Sequence, residues 1–237
     1  MISVYFYKMH HEQHLKSSDT IKDIVIGMSD GLTVPFALAA GLSGANAHST
    51  IVVTAGIAEI VAGSIAMGLG GFLAGKTESD HYASELQREY DEVERVPEQE
   101  KMEVKEVFAG FGLSVKLQDE VADEMAKDKD KWVDFMMRYE LGLEKPEEHR
   151  ARQSAITIGL SYIVGGIIPL SPYFFIDDSQ KGLYYSCAIT LICLFIFGYF
   201  KSKVTGQPAI SGAFKVLIIG ALAAAAAFGM AKLINGA

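Results

Sequence analysis

Five stretches of the chain are apolar around their whole circumference rather than along one stripe. Residues 182–200 and 154–170 contain no charged side chain, and neither does 216–231, between Lys215 and Lys232. Residues 51–74 and 24–45 carry one acid each, Glu59 and Asp30. A helix needs roughly 20 apolar residues to cross a hydrocarbon core of ~30 Å. Soluble bundles seldom contain helices this long without a polar face. The pattern therefore predicts five membrane spans, with Pro169 and Pro172 closing the third. Lys215 and Lys232 flank the shortest run and can snorkel to the two interfaces.

Between the second and third runs the pattern changes to charged and helical. Pro97 ends the helix that continues from span two to about Arg95, and it suits the first turn of the next helix, about 98–109. Residues 110–113 form a turn, Ser114 is a candidate cap for a third helix ending near Gly142, and Pro146 opens a lead into span three. Residues 76–150 hold 22 of the 29 acidic and 12 of the 21 basic side chains, a net of −10 against +2 for the rest. The fold class is thus all-α: a five-span membrane protein with an acidic helical insert between spans two and three. The domains are a leader (1–22), spans one and two (23–75), the insert (76–150) and spans three to five (151–237).

Basic residues in short loops set orientation. Lys8, Lys16 and Lys22 precede span one, Lys76, Arg150 and Arg152 border the insert, and Lys201 and Lys203 lie between spans four and five. With five spans these regions share one side, so the amino terminus and the insert are expected to be cytosolic and the carboxyl terminus across the membrane. Residues 1–18 have no apolar core followed by small cleavage residues, so no cleaved signal peptide is expected. The acidity excludes nucleic acid as a partner, because phosphates would be repelled. Cys187 and Cys193 both lie in an apolar run and make neither a disulfide framework nor a cysteine zinc site.

Within the insert, Glu89 with Glu92 and Glu100 with Glu103 are spaced i, i+3, so each pair shares a helix face. Pro97 lies between the pairs and can fold them together. Met136, Met137 and Glu140 are spaced i, i+1, i+4, so both sulfurs can share a side with that carboxylate. Five converging carboxylates repel one another unless a cation sits among them. Oxygen ligands alone suit Mg²⁺ or Ca²⁺, and added thioethers move the preference towards a softer ion such as Fe²⁺. A solvated acidic face with methionine as packing filler accounts for the same residues.

The acids in the spans are a different case. An ionisable group at mid-membrane costs at least ~2.5–3.5 kcal/mol and is functional by default. Asp30 stands among Gly27, Gly31 and Pro35. The glycines permit close helix approach, and Pro35 leaves the carbonyl of Gly31 without its donor, which predicts a kink beside the acid. Glu59, Gly63, Met67 and Gly70 lie within roughly 80° of one another around span two. A buried carboxylate holds either a proton or a cation. A path lined by such groups could exchange one for the other, which is the physical basis of an antiporter.

Two motifs compete with that reading. Residues 70–77, GGFLAGKT, match the phosphate-loop pattern letter for letter, but that motif needs a strand before it and a loop around the phosphates. No nucleotide is expected. Glu78 and His81 form one E-x-x-H element, whereas di-iron bundles use two. A membrane-anchored di-iron ferroxidase and a metal-binding scaffold are the alternatives to transport.

The run SDGLTVPFALAAGLSG (29–44) resembles the first-span signature of the vacuolar iron transporter family. AEIVAGSIAMGLGG (58–71) is similar to that family's second span, and the likeness extends from about Asp23 to the carboxyl end, insert included. The resemblance implies a homodimer with the ion path between the two copies, and no enzymatic activity. It implies proton-coupled export of cytosolic Fe²⁺ into the vacuole of a plant cell, with Zn²⁺, Co²⁺ and Mn²⁺ as related cargo and no permanently bound cofactor. Asp30, Glu59 and Met67 stand at the family's path positions. Glu89, Glu92, Glu100, Glu103 and Glu140, with Met136 and Met137 beside them, match its cytosolic metal-binding residues.

Overall fold

A computed structural model describes residues 17–235, so most of the leader (1–22), with Lys8 and Lys16, lies outside the described residues, as do 236 and 237. Eight α-helices account for nearly all of the described chain: α1 (Ser17–Gly44), α2 (Ser49–Arg95), α3 (Pro97–Gly110), α4 (Val115–Met125), α5 (Lys129–Phe135), α6 (Arg150–Leu170), α7 (Ser179–Val204) and α8 (Ala209–Asn235). No strand occurs among the described residues. Five of the helices, α1, α2, α6, α7 and α8, are long and apolar enough to span a membrane. The chain divides into two compact units, residues 72–151 and the remainder.

In the membrane unit, glycines decide which helices touch. A Cβ on Gly27 would lie 2.3 Å from the carbonyl oxygen of Ile158, and one on Gly31 would lie 2.3 Å from that of Tyr162. These contacts bring α6 against the backbone of α1, where no larger residue fits. Helix α1 runs on through Pro35, whose ring lies near Gly166 of α6. The α1 end is closed by Asn46 in the left-handed region at φ 56°, a conformation asparagine tolerates. Helix α8 packs on α1 and α7. Outward faces stay apolar: Ile57, Val61, Ile65, Leu69 and Leu73 make an exposed stripe along α2, which suits hydrocarbon rather than water.

The 47 residues of α2 give it a length of about 70 Å, more than twice the ~30 Å hydrocarbon thickness. Its part beyond Lys76 is charged and contributes to the second unit. There Val93, Val104, Ala122, Trp132, Val133, Met136 and Met137 form the core. Pro97 occupies the first turn of α3, where its missing N–H costs nothing. Lys101 to Asp123 (2.8 Å) and Lys105 to Asp119 (2.7 Å) tie α3 to α4.

Two local expectations need correction. The third insert helix is not continuous to Gly142. It breaks after Met125, and Asp128 caps a new helix by accepting from the Lys131 N–H. The chain then makes a π-helical turn, Met136–Glu140, which Gly142 closes at φ 65°. An aspartate that satisfies an orphan N–H starts a helix more readily than it continues one. Ser114 does precede α4, yet its side chain makes no capping bond.

Candidate ion-handling sites

The acids of the membrane unit are organised by a tyrosine. Tyr162 of α6 is buried, and its side chain lies over Gly63 of α2, where a Cβ would come within 2.5 Å of the hydroxyl. That hydroxyl donates to Oε1 of Glu59. The second oxygen of Glu59, Oε2, is buried with no hydrogen-bond partner. Asp30 is half-buried on α1. Glu59 also borders a groove of about 530 Å³ lined by Val34, Leu38, Ala227 and Ala231. Met67 is half-buried, two turns further along α2.

Tyr162 was not singled out by its sequence context. The signal was a lone phenol within an uncharged run, which needs a polar partner when buried. Asp23 carries no cue in the sequence either: it is 3% exposed and accepts from the Ser154 hydroxyl at 3.0 Å.

The acids of the second unit crowd together. Glu89 on α2 and Glu100 on α3 are each 2% exposed, and each has an Oε2 with no hydrogen-bond partner. Burial, followed by the charges of Glu140 and Glu92, pushes the Glu89 carboxyl up to about 7. At Glu100 burial and then Glu103, Glu89, Glu92 and Glu140 raise it to about 7 as well. Partial burial of its carboxyl and then Glu103 raise Glu140, a residue otherwise exposed. The charges of Glu92 and Glu103 thus bear on Glu89, Glu100 and Glu140. The charges are coupled without forming a finished cage: among the described residues, no three His, Cys, Asp or Glu side chains are arranged to hold a metal ion as they stand. Met136 and Met137 are fully buried in the core beside Trp132.

The competing motifs resolve differently. Residues 70–77 lie inside continuous α2, with no loop to wrap a phosphate. A Cβ on Gly71 would strike Ile158 at 2.6 Å, and one on Gly75 would strike Ala151 at 2.9 Å, so these glycines serve packing. Glu78 and His81 are exposed, and His81 sits 3.8 Å from Glu85.

The sequence profile of the VIT family matches residues 21–232. The chain belongs to the VIT family. Vacuolar iron transporter 1 of Tulipa gesneriana is 52% identical over 95% of this chain and 92% of its own length. Vacuolar iron transporter 1 of Arabidopsis thaliana is 53% identical over 95% and 90%. Protein CCC1 of Saccharomyces cerevisiae is 40% identical over 91% of this chain and 69% of its own. For this VIT-family member, transporter names among the relatives agree with the expectation that it is not an enzyme.

Proposed function

We propose that this VIT-family protein is a proton-coupled antiporter that moves ferrous iron from the cytosol into the vacuole. Iron transport at the vacuolar membrane is supported by family membership and by the names its relatives carry. The observation that carries the proton coupling is Glu59: a carboxylate in a span, half anchored by Tyr162, with a buried oxygen that has no partner. Such an oxygen is stable only with a proton or a cation on it. Asp30, with Met67, would take the metal in turn, and protons would return by the same carboxylates.

The insert would capture the ion. Glu89, Glu92, Glu100, Glu103 and Glu140 repel one another in the absence of metal, and a divalent cation would draw their oxygens inward. Met136 and Met137 would add softness near that site and favour Fe²⁺, with Zn²⁺, Co²⁺ and Mn²⁺ as related cargo. In this reading the amino terminus and the insert face the cytosol and the carboxyl terminus the lumen. Two copies would meet across the exposed apolar faces, with the path between them; the groove beside Glu59 supports this arrangement.

Uptake of Fe²⁺ into sealed liposomes tests the reading. Uptake should rise several-fold when the interior is acidic and collapse when a protonophore removes the gradient. Flux indifferent to the gradient would refute the coupling. The ferroxidase and scaffold alternatives predict oxygen consumption with Fe²⁺, or no flux at all.

A further inference from the structure

The acidic cluster of residues 72–151 contains a charge that the metal reading leaves unused. Arg88 sits one residue before Glu89 on α2. Its Nη2 lies 2.6 Å from Oε2 of Glu85 and 4.0 Å from Oε1 of Glu89, while its Nε lies 3.4 Å from Oε2 of Glu92. The nearby lysines of α3 are turned elsewhere: Lys101 holds Asp123 and Lys105 holds Asp119, both on α4. Against the surrounding acids, Arg88 lowers the carboxyls of Glu89 and Glu140. The cluster also has two independent marks of a site, the unpartnered and almost fully buried Oε2 atoms of Glu89 and Glu100.

We infer that Arg88 is the resident counter-cation of this cluster, and that an arriving divalent ion displaces its guanidinium from Glu92 and leaves it on Glu85 alone. The inference rests on the metal reading of the insert and adds a residue that sets its affinity. A guanidinium is always charged and its planar fork engages carboxylates, so it holds Glu92 in place while no metal is bound. It cannot remain on Glu92 once that oxygen ligates an ion, and at this range it repels the ion. Glu85 is not one of the five glutamates, yet it makes the shortest contact with Arg88 and retains it after the exchange. Arg88 is about half exposed, which leaves the guanidinium free to swing aside.

The chain has one tryptophan, Trp132, in the core of this unit. Quenching of its fluorescence during anaerobic Fe²⁺ titration of the full-length protein in detergent therefore reads this site and not the spans. Arg88→Gln should bind Fe²⁺ about tenfold more tightly, the scale of one neighbouring charge at this range. Lys116→Gln, which removes an exposed cation paired with Glu120, should change affinity less than about twofold, because exposed charges are screened. Equal or weaker binding by Arg88→Gln, or the same tightening by Lys116→Gln, overturns the inference.

Glu85→Gln supplies a second arm if Arg88→Gln folds poorly. It should weaken binding about threefold by leaving Arg88 to Glu92, and the effect should shrink when Arg88 is also replaced, since the two act as a pair. An undiminished Glu85→Gln effect in the double variant counts against displacement. The metal reading fails separately: wild-type protein whose Trp132 signal ignores Fe²⁺ overturns both ideas, whereas a normal wild-type titration with an unchanged Arg88→Gln overturns this one alone.

Discussion

The chain places acids in two settings that differ in number, spacing and neighbours. In the insert five glutamates crowd together, two of them are buried, and one arginine offsets part of the charge. In the membrane unit the acids stand far fewer: Glu59 is held by one phenol, and Asp30 is half-buried without a hydrogen bond among the described residues. Dense charge attracts a cation strongly and releases it slowly. A sparse pair holds it weakly enough for passage, and a proton can take its place. In the proposed function, capture and passage thus call for different densities of the same functional group.

The sharpest way to break this contrast is Asp30→Asn. It should lower ΔpH-driven Fe²⁺ uptake at least ~100-fold, as loss of an intramembrane charge in a path implies, while circular dichroism and Trp132 quenching stay unchanged. Next comes the pair Glu89→Gln with Glu100→Gln. It should weaken Fe²⁺ binding at the insert by about 100-fold, since a metal site loses two ligand charges. Uptake at saturating iron should fall less than about tenfold. If both variants abolished uptake alike at saturating iron, capture and passage would not be separable.

Tyr162→Phe comes third. It removes the donor to Glu59 and should slow uptake about tenfold, the scale of a lost hydrogen bond to a charged group. Insert binding should not change. Gly63→Ala should act in the same direction, because its Cβ would fall within 2.5 Å of the Tyr162 hydroxyl.

The smallest effect is one of pH. Glu89 and Glu100 are raised from 4.5 to about 7 in the fold. Between those values the metal-free fold therefore binds more protons than the unfolded chain. The stability these two carboxyls contribute is fully present below about 4.5 and is lost as pH rises through about 7. Thermal melting of metal-free protein should show the insert melting a few degrees lower at pH 8 than at pH 5. Fe²⁺ affinity should move oppositely, because the carboxyls must lose their protons to bind. Melting independent of pH would show that the two glutamates are not desolvated in solution.

Much of the fold was legible because lipid imposes one simple rule on sequence: uncharged runs of sufficient length. All five spans follow from that rule, and Pro97 marked the α2–α3 break through its missing N–H. The third insert helix departs from its sequence pattern because Asp128 and the π turn at Met136–Glu140 are local choices that a helical period does not reveal. Ser114 had the right position without the expected bond, as its side chain makes no capping hydrogen bond.

By itself the sequence determined the class of the protein, its spans and the identities of its acids, since hydropathy and charge are properties of residues counted along a line. Which atoms meet was left to the tertiary structure. Tyr162 reaches Glu59 across 103 positions because glycines in α1 and α2 admit α6. Arg88 lies against Glu85 and Glu92 by the turn of a single helix, but it becomes the cluster's counter-cation only because packing buries Glu89 and Glu100 and turns the neighbouring lysines towards α4. Electrostatic interactions depend on distance and on burial, and only the packed chain sets either.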